Sequence, residues 1–153
     1  IPLRLVGSEM CIRDRIMAVA NGEADIAIAN SYYIGIMLSG SAGKEQQEAA
    51  RKVKMLFPNQ TNRGTHINIS GAGILKNSPN PSNANLFLEF LLSKRVQENM
   101  VNNSYEYPIA KGVLPSKEIA SFGTNFKEDQ ASVKSFGELN PDAVRLMDRS
   151  GWK

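Results

Sequence analysis

Apolar and polar positions alternate in blocks along this chain, and the blocks predict short strands followed by helices. The run 24–29 is apolar, has about the length of a buried strand, and is bounded by turn residues. It ends at Asn30 and Ser31, which are both good helix N-caps. We therefore expect the adjacent Tyr32 and Tyr33 to lie in the first turn of the helix that follows.

The rest of the chain continues this alternation. Apolar residues at helical spacing, with capping residues before them, predict helices over 16–20, 34–38, 84–92, 94–101, 115–122 and from Pro141 onward. The segment 44–52 is charged on most sides and predicts a solvated surface helix. The run 53–57, closed by turn residues, and the period-two alternation in 65–76 predict two further strands. Pro108 requires the residues before it to be extended. Strands that alternate with helices predict an α/β fold.

Two interpretations of the tyrosine pair are open from this pattern. Neighbouring residues within a helix point about 100° apart. At a junction where the first residue is still non-helical, however, the oxygens of Tyr32 and Tyr33 can converge into a donor site at the positive end of a helix. Adjacent tyrosines are more often two packed rings whose hydroxyls find separate partners. The pattern by itself therefore favours packing.

Composition narrows the class of protein. The chain has 153 residues, of which 42% are hydrophobic and 22% charged, as expected for one globular domain or pieces of two. Its net charge of +3 is not gathered in a basic stripe, so we expect no nucleic-acid partner. No apolar run approaches the roughly 20 residues that span a bilayer. With one histidine and no serine-centred elbow, no nucleophile and base pair is visible, so we expect no enzyme.

The first 15 residues fit neither period and are treated separately. Residues 6–15 resemble a translated sequencing-adapter read-through, so we predict a non-native tail over 1–15. Cys11, the single cysteine, then is not native, which excludes a native disulfide or thiolate metal site. The natural chain is then expected to begin further upstream, with its signal peptide missing here.

Several motifs in the same order resemble one family. They are Gly22-Glu23-Ala24-Asp25, the Tyr32-Tyr33 pair, the run 63–73 (Arg-Gly-Thr-His-Ile-Asn-Ile-Ser-Gly-Ala-Gly), and the segments 84–97, 105–108 and 140–152. Together they are similar to the ferric-iron-binding proteins of ABC importers over residues 16–153. The resemblance implies the C-terminal portion of a type II periplasmic-binding-protein fold, with parts of two lobes that close like a hinge. It places residues 16–66 in part of the C-terminal lobe and 67–125 in a crossover strand and part of the N-terminal lobe. Residues 126–153 form helices that return to the C-terminal lobe.

The resemblance also implies a function and a site. Such a protein is a periplasmic monomer that captures ferric ion, with or without a synergistic anion, and delivers it to an ABC permease in the inner membrane. Tyr32 and Tyr33 match the family's iron ligands. Fe³⁺ is a hard cation that prefers anionic oxygen donors, and its acidity displaces the phenol proton as it binds. The other ligands are expected from the missing upstream half, so this chain alone should bind iron weakly or not at all. The anion-binding residues are not assigned.

Other interpretations remain. The same fold can bind a polyamine, thiamine or an organic anion, although an organic cation calls for aromatic faces with carboxylates rather than converging hydroxyls. A structural or regulatory domain is a further alternative. We interpret His66 as a structural hydrogen-bonding residue at the hinge and Arg63 as a turn-stabilising residue. Tyr105 and Tyr107 are interpreted as packing residues rather than ligands.

Overall fold

A computed structural model of the chain describes residues 5–6 and 12–151. Within these ranges, two short strands and seven helices follow one another. They are β1 (Leu5–Val6), α1 (Ile12–Ala20), β2 (Ile26–Ala27), α2 (Ser31–Ser39), α3 (Lys44–Lys52), α4 (Pro81–Leu91), α5 (Lys94–Ser104), α6 (Lys117–Ala120) and α7 (Val133–Ser150).

The chain begins with a parallel strand–helix–strand unit. Leu5 pairs with Ile26 and Val6 with Ala27, and α1 forms the crossover between the two strands. This unit agrees with the predicted α/β class. β2 (Ile26–Ala27) is shorter than the predicted strand over 24–29.

The first 15 residues contribute to this unit. The prediction that they fit no element is wrong where the structure describes them, since Leu5–Val6 form β1 and Ile12–Arg15 open α1. The guanidinium of Arg15 also donates to the carbonyl of Ile28, 3.2 Å away. Residues 1–4 and 7–11, Cys11 included, lie outside the described residues, and the non-native origin of the segment stays a prediction.

The main core lies where α1, α2 and α3 meet. Ile16 of α1, Ile34 and Met37 of α2, and Ala49 and Ala50 of α3 form one buried cluster. The predicted helices over 34–38 and 44–52 are thus confirmed. However, α3 is not solvated on all sides, because its two alanines are small enough to let its backbone approach the other helices.

Helix α2 ends where the sequence predicts it. Gly40 takes a left-handed conformation (φ 84°), which non-glycine residues rarely adopt, and its N–H bonds the carbonyl of Met37. The side chain of Gln47 on α3 donates to the carbonyl of Leu38 at 2.8 Å. This bond satisfies an acceptor that the helix end leaves without a partner.

The predicted strands over 53–57 and 65–76 are wrong for the part of the chain that the structure describes. Side chains over 53–57 still alternate between half-buried and exposed, as in a strand, but among residues 5–6 and 12–151 no strand pairs with them. Thr65 forms an isolated bridge with Glu128. A period-two pattern gives an extended backbone, whereas a sheet needs a partner for its N–H and C=O groups.

Hydrogen bonds around that bridge join residues 60–65 to residues 127–129, and we call this junction the clasp. The backbone of Thr65 bonds those of Lys127 and Asp129, each at 2.8 Å. Gln60 donates to the carbonyl of Lys127 at 3.0 Å and accepts from its N–H at 2.7 Å. Gly64 is required here, because a Cβ on it would lie 2.6 Å from the carbonyl carbon of Glu128. The clasp lies close to the two points at which the chain is predicted to pass from one lobe to the other.

The later helices form with altered limits. α4 and α5 confirm the predictions over 84–92 and 94–101, and α6 is a shorter form of the predicted 115–122. The prediction that the last helix begins after Asn140 is wrong. It begins at Val133, where the Ser132 hydroxyl caps the N–H of Lys134, and it runs through Pro141. Since α7 is exposed, the carbonyl that Pro141 leaves without a donor is open to water.

The apolar sides of α4 and α7 are largely exposed. Neither helix has a buried residue, and the large exposed side chains include Leu86, Phe87, Phe90, Val133, Leu139, Val144 and Leu146. Within residues 12–151, no helix combines the length and the apolar character that a membrane crossing demands.

Candidate functional site

Tyr32 and Tyr33 lie side by side in the first turn of α2. Their ring centroids are 4.2 Å apart and the ring planes are inclined by 31°. The prediction that they open the helix is confirmed, although the non-helical residue of the junction is Asn30 (φ −71°, ψ 142°) and both tyrosines are helical. The rings therefore pack on each other, and the packing brings the two hydroxyls together.

The environment of Tyr32 keeps its phenol protonated. A hydrogen bond with Tyr33 raises the pKa of Tyr32, and partial burial and the charges of Tyr33 and Glu106 raise it further, while a hydrogen bond with Asn30 lowers it. At neutral pH the phenol of Tyr32 is thus a neutral oxygen donor. A cation that binds there as a phenolate complex displaces a proton. The N-terminus of α2 lies beneath the pair, and its partial positive charge favours the phenolate form.

Polar side chains from two other segments extend this site. The amide oxygen of Asn30 accepts a hydrogen bond from the amide of Asn68, 3.3 Å away, instead of capping the helix backbone. Two residues further, the hydroxyl of Ser70 donates to a carboxylate oxygen of Glu106 at 3.0 Å. The alternation over 66–70 predicted that these side chains share a side of the chain. Sequence reasoning missed Glu106, because only the fold brings it near Tyr32.

Close contacts one turn further along the helix fix the position of α2. A Cβ on Gly35 would lie 2.6 Å from the Cβ of Tyr105 and 3.0 Å from the end of Ile119. Ile119 of α6 is completely buried, and Tyr105 has the left-handed backbone (φ 58°) that non-glycine residues rarely adopt. Tyr105 was expected to be extended, and this is a correction. The helix that carries the tyrosine pair therefore packs directly against the loop that carries Glu106.

The remaining candidate residues have structural partners. The ring of His66 meets the ring of Phe136 edge-on, with the centroids 5.1 Å apart. Arg63 pairs with Asp129 at 3.5 Å beside the clasp, as expected for a turn-stabilising residue. The hydroxyl of Tyr107 donates to the carbonyl of Gly123 at 2.9 Å.

The predicted packing role of Tyr107 is confirmed. Its ring contacts Phe57 and Phe126, which stack on each other with centroids 4.1 Å apart. Burial raises its pKa. Among the described residues, no group of three or more histidines, cysteines, aspartates and glutamates gathers in a way that holds a metal ion.

Comparisons with known proteins assign the chain to a class. The profile of a family described as bacterial extracellular solute-binding proteins matches residues 13–127. The iron uptake protein A1 of a Synechocystis species is 44% identical over 139 residues, which are 91% of this chain and 38% of that protein. The chain thus spans about two-fifths of the length of this curated relative.

Solved structures agree with this match. A Trichodesmium protein of the IdiA or FutA type, in complex with iron and citrate, superposes with a TM-score of 0.89 at 45% identity. The superposition covers 97% of this chain and 46% of that one. A ferric binding protein from Campylobacter jejuni gives a TM-score of 0.84 at 39% identity, over 97% of this chain and 46% of that one. These likenesses confirm the predicted fold as part of a periplasmic-binding-protein fold.

Proposed function

The chain belongs to the bacterial extracellular solute-binding protein family, and we propose that it is part of a ferric-ion receptor of an ABC importer. The family consists of binding proteins rather than enzymes. In the proposed role the intact protein captures Fe³⁺ in the periplasm and delivers it to an inner-membrane permease. Ferric ion is the cargo of this protein and not a resident cofactor.

One observation carries the proposal. Tyr32 and Tyr33 have their rings 4.2 Å apart at the N-terminus of α2, where two phenolates gain from the helix dipole. Anionic oxygen is the donor that a hard, highly charged cation prefers. Relatives and structural neighbours with iron or ferric binding in their names support the same cargo.

Two oxygen donors do not complete the coordination of a ferric ion. We expect the other ligands from the part of the fold that this chain does not span, and a synergistic anion in the same site. The citrate in the Trichodesmium structure supports an anion of the carboxylate class. On this proposal the 153-residue chain alone binds iron weakly or not at all. The proposal also includes a monomeric receptor.

The visible absorption band of phenolate-to-iron charge transfer tests the proposal. The intact protein encoded by the gene that carries this sequence is titrated with ferric citrate, and we expect a saturable band. Tyr32→Phe and Tyr33→Phe should each weaken or abolish the band, because each removes one phenolate donor. Tyr107→Phe is the matched control, since its hydroxyl bonds Gly123 and lies outside the pair.

Two results would contradict the assignment. A band that persists at full intensity in both Tyr32→Phe and Tyr33→Phe places iron elsewhere. A wild-type protein without any saturable band, but with saturable binding of a polyamine, thiamine or an organic anion, moves the function to that solute.

A further inference from the structure

We propose that Glu106 belongs to the tyrosine site, where its carboxylate, oriented by Ser70, strengthens cation binding through its negative charge. This inference rests on the proposed function, because it concerns the same site. It adds a charged residue from a segment that the sequence motifs leave outside the site.

The short segment 68–70 connects Glu106 to the tyrosine pair. Asn68 bonds Asn30, the residue that precedes α2, and Ser70 bonds the carboxylate of Glu106. One short segment therefore holds both the start of the tyrosine helix and the carboxylate.

The backbone of the loop fixes Glu106 from its other side. Tyr105, the residue directly before Glu106, has φ 58°. Its Cβ packs so closely against Gly35 that a side chain on Gly35 would clash with it. A strained conformation of this kind persists only where the surrounding packing imposes it. Gly35 lies one turn after Tyr32 on α2, so this contact ties the position of Glu106 to that of the tyrosine helix.

The charge of Glu106 lies beside the tyrosine helix. Ser70 holds its carboxylate, and the contact of Tyr105 with Gly35 fixes its backbone one turn after Tyr32. A negative charge at this position favours a bound cation by Coulomb interaction. A ferric ion held by Tyr32 and Tyr33 therefore gains from Glu106 even without a direct bond to it.

Four variants of the intact protein test this role. Glu106→Gln keeps the size and the hydrogen bond to Ser70 but removes the charge, Glu106→Asp keeps the charge, and Ser70→Ala removes the orienting hydroxyl. Glu98→Gln is the control, since it removes an equal charge from an exposed helix pair with Lys94. The dissociation constant for Fe³⁺ is measured by competition with citrate at two salt concentrations, with the visible band as the readout.

We expect Glu106→Gln to weaken binding by roughly tenfold, the size expected for one partly exposed charge beside a bound cation. The loss should shrink at high salt, because screening already removes part of the attraction. Glu106→Asp should bind Fe³⁺ more tightly than Glu106→Gln. The affinity of Ser70→Ala for Fe³⁺ should lie between those of wild type and Glu106→Gln. Glu98→Gln should match wild type, and all variants should keep the band at saturation.

Failure of this inference differs from failure of the proposed function. If wild type shows a saturable iron band and Glu106→Gln binds as tightly as Glu98→Gln, the role of Glu106 is refuted while the function stands. If Glu106→Asp is weaker than the isosteric Glu106→Gln, shape rather than charge matters and the inference is also refuted. If wild type shows no iron band, the proposed function itself fails.

Discussion

Replacement of Gly35 by alanine tests the contact that seats the tyrosine helix. The new Cβ would lie 2.6 Å from the Cβ of Tyr105 and 3.0 Å from the Cδ1 of Ile119. Carbon atoms in favourable contact are about 3.5–4.0 Å apart, so α2 must move by about 1 Å from the Tyr105 loop. Neither neighbour yields easily, because the Cβ of Tyr105 is attached to the backbone and Ile119 is completely buried.

The magnitude combines two opposing effects. Overpacking of this kind costs about 1–3 kcal/mol of the free energy of unfolding. Alanine inside a helix returns about 0.5–1 kcal/mol relative to glycine. Gly137 supplies the control, since it lies within α7 and a Cβ on it would meet nothing within 4 Å. The difference between Gly35→Ala and Gly137→Ala therefore isolates the clash, and we expect it to be about 1–3 kcal/mol.

Urea denaturation of the chain, followed by circular dichroism of the helices, measures this difference. Gly137→Ala should shift the midpoint upward slightly and Gly35→Ala downward, with unchanged dependence on urea concentration. Equal shifts for the two variants would refute the argument, since they would mean that α2 and the Tyr105 loop are not in tight contact.

Two further predictions concern the phenols. Because the pKa of Tyr32 lies above its ordinary value, iron binding at neutral pH displaces its proton. The affinity of the intact protein for Fe³⁺, measured by citrate competition, should therefore rise with pH by about tenfold per unit for each proton released. Replacement of Tyr107 by phenylalanine removes the bond to Gly123 and should lower the free energy of unfolding of the chain in urea by about 1 kcal/mol. Burial raises the pKa of Tyr107 and favours its neutral form, so its stabilising effect is complete below pH about 10 and is lost as the pH rises through the raised pKa.

Each of these predictions has its own control. For the pH dependence, any remaining iron binding by Tyr32→Phe should depend on one proton fewer than wild type, and an unchanged slope would contradict proton displacement from this residue. For Tyr107→Phe, the difference in stability from wild type should narrow above pH about 10. A constant difference across that range would show that the phenol of Tyr107 does not titrate with unfolding.

Local patterns were sufficient for α2 and for the place of the tyrosine pair at its start. Asn30 precedes the helix and Gly40 ends it, as the short-range preferences of these residues predict, although the side chain of Asn30 bonds Asn68 rather than the helix backbone. The limits of α7 were not, because Pro141 is a good first helical residue, whereas the helix continues through it with the loss of one backbone hydrogen bond. Which of the two applies depends on the Ser132 cap further upstream.

The local pattern could not predict which segments pair as strands. The alternation in 65–76 indicates which side chains can share a side of the chain, and the burial of side chains also alternates along 53–57. It does not show whether another strand lies beside them. Hydrogen bonding between strands joins residues far apart in the chain, as at Thr65 and Glu128, and no local spacing encodes such a pair.

The sequence by itself determined the helical segments, the adjacent tyrosines at a helix start, and the motifs that indicate a solute-binding protein. These depend on interactions within a few residues, or on identities that stand in order along the chain. Only the tertiary structure decided that Tyr105 packs against Gly35 and that Ser70 holds Glu106 beside the site. The reason is that these contacts join segments more than 30 residues apart in the chain, and packing of the whole chain sets their distances.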